Sequence, residues 1–187
     1  MDLFTSAADF AAKKHLGQKR KISGIPYLLH PMEAAAIAAS MTNDEEVLCA
    51  AMLHDTVEDT DTTPEQLQAL FGERVAYLVS TETENKRRDL PAAETWIFRK
   101  QETLETLKNA EDIGVKILWL SDKLSNMRSF YREYVKVGSA VWNACHEKDP
   151  TRQAWYYRSV AECLSCLSGY EAYKEYVKLI NKVFENE

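Results

Sequence analysis

The 187-residue sequence predicts an all-α protein, a single domain folded as a bundle of about nine or ten helices. Apolar residues recur three and four positions apart along most of the chain. Long alternating runs of β-branched residues, which are typical of strands, are absent. Hydrophobic residues make up 45% of the sequence, which is enough to form one sizeable core.

Three helix starts can be recognised in the first half of the chain. Pro31 suits the first turn of a helix, where no amide hydrogen is needed. Asn43 is expected to cap a second helix, with Glu46 three residues on to complete a capping-box-like start. Thr63 repeats this pattern, and Gly72 is predicted to end the helix that Thr63 starts.

The other helices are placed by apolar periodicity and by the breaks between them. A loop rich in glycine and proline is predicted over residues 16–31, and a polar surface loop over 81–94. The remaining predicted helices cover residues 2–15, 73–79, 93–109, 112–130, 132–147, 152–168 and 170–185.

Charge and hydropathy restrict the classes of function. The net charge is −6 and the sequence pI is near 5.4, which argues against a surface that binds nucleic acid or membrane as a whole. A local basic patch could still hold an anionic ligand. The N-terminal segment lacks the pattern of a signal peptide, and no stretch approaches about 20 uninterrupted apolar residues. A cytoplasmic location is therefore expected.

Two cysteines, Cys163 and Cys166, form a CxxC spacing, which occurs in redox and zinc sites. They lie in an apolar helical pattern without a second CxxC or a neighbouring histidine. Because free cysteine is among the most buried residue types, both are interpreted as buried thiols.

Four ionisable residues follow an apolar run in the stretch AAMLHDTVEDT, residues 50–60. If the whole stretch is helical, His54 lies one turn from Glu58, and Asp55 lies one turn from Asp59. The apolar approach draws His54 and Asp55 toward the core. An isolated buried charge is unfavourable, so these residues are expected to share partners or a ligand.

Two distant segments carry side chains of the same kinds. Asp122 precedes Asn126 by four positions in an apolar helical pattern, and His30 immediately precedes Pro31. Imidazoles and carboxylates together form a nitrogen and oxygen set that suits Mn, Fe, Zn or Mg. The candidate ligands are His30, His54, Asp55 and Asp122.

Glu58 and Asp59, one turn beyond the candidate ligands, could orient a water molecule or handle its proton. The competing interpretation is that the acidic residues form only the solvated end of a helix. Spacing alone does not bring three distant segments together, so both interpretations stay open at this point.

Other charged and aromatic runs have simpler interpretations. The basic residues 19–21, and Lys86, Arg87, Arg88, Arg99 and Lys100, could reach phosphates but are expected to be solvated. The aromatic run 155–157 is expected to lie in the core rather than against a nucleobase. His15 is a candidate for shaping a pocket, and His146 is expected at the surface.

The chain resembles the hydrolase domain of the Rel/Spo family in three segments, HLGQKRKISGIPYLLHP (15–31), AAMLHDTVEDTDTTPEQLQALFG (50–72) and LSDKLSNMR (120–128). That family comprises HD-superfamily enzymes that degrade the alarmone guanosine 5′-diphosphate 3′-diphosphate. The resemblance implies one HD-type hydrolase domain over 1–187, with motifs within 10–130 and packing helices over 131–187. No synthetase domain follows, so the chain is expected to be similar to small alarmone hydrolases, including the metazoan SpoT homologue.

The resemblance also implies roles for individual residues. It implies a metal site, usually holding manganese, at His30, His54, Asp55 and Asp122. It makes Glu58 and Asp59 catalytic and places Asn126 against the nucleotide near the metal. It places Arg20 against the base and Lys21 near phosphate, with Tyr27 as a weaker pocket candidate.

The implied reaction releases pyrophosphate from the ribose 3′-position and leaves GDP, so the expected partner is a phosphorylated guanine nucleotide. Two alternatives stay open: another phosphorylated nucleotide such as NADPH, or a nucleotide-sensing domain without turnover. Two departures from the family pattern bear on the substrate. Ser121 replaces a usual alanine, and TETENKRR at 81–88 replaces a usual valine-threonine start.

Overall fold

The computed structural model describes residues 2–87, 89–145 and 147–184. Over these residues the chain forms ten α-helices and two 3-10 helices, which confirms the predicted all-α class. The α-helices are Leu3–Lys14 (α1), Leu29–Ala39 (α2), Glu45–Leu53 (α3), Thr56–Asp59 (α4), Pro64–Phe71 (α5), Glu73–Glu82 (α6), Ala92–Asn109 (α7), Ile113–Val137 (α8), Pro150–Cys163 (α9) and Glu171–Phe184 (α10). The 3-10 helices are Gly138–Ala144 and Ser165–Leu167.

Helix α8 lies at the centre of the bundle. It packs against α2, α3, α6, α7 and α10. Every residue from 114 to 122 is buried, including the large side chains of Leu118 and Trp119. A polar residue at such a position, as Asp122 is, must find its partners inside the protein. Within the described part of the chain, no helix is long and apolar enough to cross a membrane.

The helix starts follow the predicted capping pattern with one correction. Thr63 and the glutamine three residues on form a complete capping box for α5, and Pro31 lies in the first turn of α2. Gly72 ends α5 with φ 95°, a conformation that favours glycine. The prediction that Asn43 caps α3 was wrong, because the Asp44 side chain accepts the hydrogen bond from the Glu46 amide. A carboxylate also interacts favourably with the helix dipole there.

Helix α8 is longer than predicted. Helices predicted over 112–130 and 132–147 are in fact one helix to Val137, followed by a 3-10 segment. The sequence contains neither glycine nor proline between 115 and 137, so nothing interrupts the helical hydrogen bonds. Gly138, with φ 58°, ends the helix.

The predicted continuous helix through AAMLHDTVEDT is also corrected. Helix α3 ends at Leu53, and the short helix α4 begins after a turn at His54 and Asp55. Two side chains form hydrogen bonds with backbone carbonyl oxygens at this helix end. His54 Nδ1 lies 2.8 Å from the Ala51 oxygen, and the Thr56 hydroxyl donates to the Leu53 oxygen at 2.7 Å. Such side-chain bonds compete with the backbone bonds that would continue the helix.

Candidate active site

Side chains from α2, the α3–α4 turn and α8 meet in the buried centre of the bundle. His30 Nε2 lies 2.9 Å from Asp122 Oδ1 and 3.4 Å from Asp55 Oδ2. His54 Nε2 lies 3.1 Å from Asp55 Oδ2, 3.5 Å from Asp122 Oδ1 and 3.2 Å from His30 Nε2. We call these four atoms, from His30, His54, Asp55 and Asp122, the acceptor cluster.

Hydrogen bonds on the far sides of both rings fix which nitrogen faces the cluster. A carbonyl only accepts, so His54 Nδ1 must carry the proton it shares with Ala51. Ser125 donates its hydroxyl proton to Glu33 at 2.7 Å, so it must accept from His30 Nδ1 at 2.8 Å. In both neutral rings the Nε2 lone pair therefore points into the acceptor cluster.

Two imidazole nitrogens and two carboxylate oxygens at these distances stabilise a positive charge between them, either a proton on a ring nitrogen or a bound cation. Burial lowers the pKa of His30. Burial acts the same way on His54, but Asp55 and Asp122 outweigh it and hold the pKa of His54 well above its usual value. The donor set also suits a divalent metal ion, because ligand atoms of His30, His54 and Asp122 all lie within 4.8 Å of one another.

Glu58 and Asp59 lie beside the cluster and share one cation. Lys86 Nζ is 2.5 Å from Asp59 Oδ1 and 3.1 Å from Glu58 Oε1. The Glu84 amide donates to Glu58 Oε2 at 3.0 Å. Burial raises the pKa of Glu58, although the Glu84 amide and Lys86 oppose the shift. A raised pKa makes a carboxyl group a better proton acceptor, as a general base must be.

Tyr27 connects the cluster to Asp59. Its hydroxyl lies 2.7 Å from Asp55 Oδ2 and 3.0 Å from Asp59 Oδ2. Burial, followed by the two carboxylates, raises the pKa of Tyr27, so the hydroxyl remains a donor. The ring stacks on His15 at a centroid distance of 5.0 Å, so His15 supports Tyr27 from behind.

Arg20 and Asn126 form a second connection to the cluster. Arg20 Nη2 donates to Asn126 Oδ1 at 2.6 Å, and Asn126 Nδ2 donates to Asp122 Oδ1 at 2.6 Å. The four-residue spacing of Asp122 and Asn126 in helix α8 brings these two side chains into contact. The Arg20 guanidinium also lies 5.4 Å from the centroid of the Tyr27 ring.

A cavity of about 550 Å³ opens beside these residues. That volume falls within the range of small-molecule sites. Its lining includes the six cationic residues Lys19, Arg20, Lys21, Lys86, Arg99 and Lys100. The lining also includes Glu58, Asp59, Glu84 and Glu147, so cationic residues outnumber carboxylates there in a protein whose net charge is −6.

Basic residues of the 81–100 region were predicted to be solvated, and this prediction was wrong for three of them. Lys86, Arg99 and Lys100, which we call the cationic wall, line the cavity. Arg99 and Lys100 bind Glu84 at 2.6 and 2.9 Å. Arg99 follows the buried Trp96 by three positions, and this helical spacing could have indicated its burial. Arg88 and His146 lie outside the described residues.

The segment predicted as a surface loop over 81–94 contains a buried glutamate that sequence reasoning missed. Glu82 Oε1 lies 3.1 Å from Lys123 Nζ, while Oε2 is buried without a hydrogen-bond partner among the described residues. Burial raises the pKa of Glu82 to about 8. Lys123 also contacts Asp122, so Glu82 stands close to the acceptor cluster. Ser121, in contrast, is buried and donates to the Ile117 carbonyl.

The aromatic and cysteine predictions are partly corrected. Tyr156 is buried as predicted but also lines the cavity together with Tyr157, while Trp155 is exposed. Cys163 is half-buried and Cys166 is exposed, so the interpretation of both as buried thiols was wrong. The helix ends at Cys163, which places Cys166 in the 3-10 turn that follows.

Comparison with known proteins identifies the family of the chain. Residues 7–145 match the HD-domain family profile. The chain belongs to the HD-domain family.

Two relatives within this family share one named activity. The chain is 45% identical over 130 residues to MESH1 of Mus musculus, a guanosine-3′,5′-bis(diphosphate) 3′-pyrophosphohydrolase, covering 67% of this chain and 68% of that protein. It is 42% identical over 125 residues to an Aquifex aeolicus protein of the same activity, covering 67% of this chain. The chain spans only 17% of the length of that Aquifex relative.

Two solved structures share the fold. One is a metazoan SpoT ortholog described as hydrolysing ppGpp, with a TM-score of 0.75 and 26% identity, covering 97% of this chain and 95% of that chain. The other is a Listeria monocytogenes protein, with a TM-score of 0.72 and 31% identity, covering 83% of this chain and 99% of that chain. The predicted resemblance to alarmone hydrolases and the predicted HD-type bundle are both confirmed.

Proposed function

We propose that residues 1–187 form one HD-type hydrolase domain that removes pyrophosphate from the 3′-position of guanosine 3′,5′-bis(diphosphate). The observation that supports this most is the acceptor cluster, which adjoins two carboxylates and a cation-lined cavity. The named activities of the relatives from Mus musculus and Aquifex aeolicus point to the same substrate.

His30, His54, Asp55 and Asp122 are proposed to hold a divalent ion, with Mn²⁺ expected. A divalent ion held there would lower the pKa of water and offset negative charge on phosphate. The histidines are set for this role because both Nε2 lone pairs face the cluster. Tyr27 and Asn126 orient the two carboxylates by donating to Asp55 and Asp122.

Hydrolysis requires that the attacking water loses a proton and that the departing sugar oxygen gains one. The water oxygen bonds to phosphorus, the bond from phosphorus to the ribose 3′-oxygen breaks, and the products are GDP and pyrophosphate. Glu58, whose pKa burial raises, is proposed to take the proton from water and return it to the ribose oxygen. Asp59 positions the water and is held by Tyr27 and Lys86.

The nucleotide is proposed to occupy the cavity. Arg20, held by Asn126 and placed near Tyr27, would face the base. Lys21 and the cationic wall would face phosphates, since both line the cavity and carry positive charge.

The test is to load the purified protein with Mn²⁺, offer it the alarmone and NADPH separately, and separate the products by ion-exchange chromatography. We expect GDP and pyrophosphate from the alarmone, with Glu58→Gln as the inactive control. Turnover of NADPH alone would replace the proposed substrate. Failure to hydrolyse either compound while metal is bound would contradict a hydrolase and favour a nucleotide sensor.

A further inference from the structure

A continuous chain of hydrogen bonds connects His30 to the C-terminal helix α10. His30 Nδ1 lies 2.8 Å from Ser125 Oγ, and Ser125 donates to Glu33 Oε2 at 2.7 Å. Arg128 donates to Glu33 Oε1 at 3.2 Å and makes two bonds to Glu175, at 2.7 and 2.6 Å. We call this chain, His30–Ser125–Glu33–Arg128–Glu175, the His30 relay.

The direction of every bond in the relay follows from the groups at its ends. Arg128 only donates, and the carboxylate of Glu33 only accepts. Ser125 has one proton and gives it to Glu33, so its oxygen must accept from His30. Because both partners of Glu33 donate to it, the hydrogen bonds of Glu33 decide which nitrogen of the His30 ring carries the proton.

At the His30 end, burial keeps water from replacing the hydrogen bonds of the relay. At the Glu175 end, two hydrogen bonds hold Arg128 in place. His30 and Ser125 are only 4% and 1% exposed. The bidentate bonds to Glu175 raise the pKa of Arg128, which stays cationic beside Glu33. Glu175 lies beyond residues 7–145, the part of the chain that matches the family profile.

We infer that Ser125, Glu33, Arg128 and Glu175 are positioning residues that hold His30 with its proton on Nδ1 and Nε2 free to bind a metal. Helix α10 thus contributes Glu175 to the support of the metal site, in addition to covering the core. This inference rests on the metal site proposed above, and it does not depend on which nucleotide is the substrate.

The inner end of the relay is tested by long-range ¹H–¹⁵N spectra of the histidine side chains in the metal-free protein, which has four histidines. Wild-type His30 should show the Nδ1–H form. Glu33→Gln should move the ring proton of His30 from Nδ1 to Nε2. The new amide nitrogen would donate to Ser125, which would then donate its proton to His30 Nδ1. Ser125→Ala should leave a mixture of the two forms.

The same variants are then titrated with Mn²⁺ by calorimetry. Both should bind Mn²⁺ about 10- to 100-fold more weakly than wild type, the range typical for lost outer-shell partners of metal ligands. Ser125→Thr keeps the hydroxyl and should restore both the Nδ1–H form and most of the affinity. Unchanged ring protonation together with unchanged affinity in Ser125→Ala and Glu33→Gln would overturn the inference.

The outer end is tested by comparing two glutamates of α10. Glu175→Gln should weaken Mn²⁺ binding by about threefold, a typical size for an effect transmitted through packed neighbours. The matched control is Glu171→Gln, since Glu171 is exposed and pairs with the exposed Lys174 in the next turn. Equal affinities for the two variants would remove Glu175 from the relay. Intact relay behaviour without alarmone hydrolysis would refute only the proposed function.

Discussion

The acceptor cluster lies behind Tyr27 and Asn126, which line the same cavity as the cationic wall, but the charges of the cluster and the wall are arranged in opposite ways. In the cluster, two imidazole nitrogens and two carboxylate oxygens converge and stabilise a positive charge placed between them. In the wall, Lys86, Arg99 and Lys100 already have carboxylate partners. A cation bound by the cluster relieves repulsion, whereas an anion bound by the wall must replace existing partners. The cluster should therefore control whether chemistry occurs, and Arg99 and Lys100 of the wall should control how tightly the substrate binds, whereas Lys86 also holds the catalytic carboxylates.

The largest expected effect is the loss of a cluster ligand. His54→Ala and Asp122→Ala should each lower metal affinity by more than about 100-fold, because each removes a donor and leaves the others facing one another. Elemental analysis after dialysis measures this, with the exposed Asp61→Asn as the control. Metal content equal to wild type in both variants would show that the cluster is not the metal site.

The next effect is on turnover at constant metal content. Glu58→Gln keeps the shape of the side chain but cannot exchange a proton, so kcat should fall by about 10²- to 10⁴-fold while the nucleotide still binds. Steady-state kinetics and a binding titration with the alarmone separate the two quantities. The exposed Glu65→Gln should behave as wild type. A kcat within a few-fold of wild type in Glu58→Gln would assign proton transfer to another group.

Arg20→Ala should affect substrate binding and not metal binding. Arg20 is connected to the cluster through Asn126 and the Tyr27 ring and is not one of the proposed metal ligands, so metal content should be unchanged. Loss of a charged hydrogen-bonding group should raise KM by about tenfold. KM for the alarmone, measured at saturating Mn²⁺, provides the check. An unchanged KM would exclude Arg20 from the nucleotide site.

The smallest expected effect is in the cationic wall. Lys100 lies 4.7 Å from the centroid of the Tyr156 ring and binds Glu84, so it is already stabilised without substrate. Lys100→Gln should raise KM by only about threefold and leave kcat unchanged, which corresponds to a screened charge contact. Arg87→Gln removes an ion pair with the surface residue Glu102 and serves as the matched control. A large fall in kcat in Lys100→Gln would end the distinction between cluster and wall.

The burial of most cluster residues could be predicted from local sequence patterns, whereas the carboxylate partners of the wall could not. His54, Asp55 and Asp122 stand at the ends or centres of strongly apolar helical patterns, and these patterns place them in the core. The burial of Glu84 depends on partners 15 and 16 positions later, which no local pattern reveals. The pairing of Glu82 with Lys123, 41 residues away, is equally hidden.

Errors in the helix boundaries have a similar origin. Asn43 and Asp44 are both good capping residues, so composition alone does not choose between them. The break after Leu53 depends on two side chains, His54 and Thr56, that bond backbone carbonyls in the folded protein. Of these boundary errors, only the one in helix α8 could have been avoided from the sequence, because residues 115–137 contain no glycine or proline.

Tryptophans stand next to both regions of the cavity, which gives the protein an intrinsic fluorescence signal. Trp96 lines the cavity, and its ring packs edge-to-face on Tyr156 with a centroid distance of 6.1 Å. Trp119 is fully buried, three positions before Asp122, with Lys123 Nζ 4.8 Å from its ring. Emission from Trp119 should respond to paramagnetic Mn²⁺, and emission from Trp96 should respond to a nucleotide. Each binding event can thus be observed optically without attaching a dye.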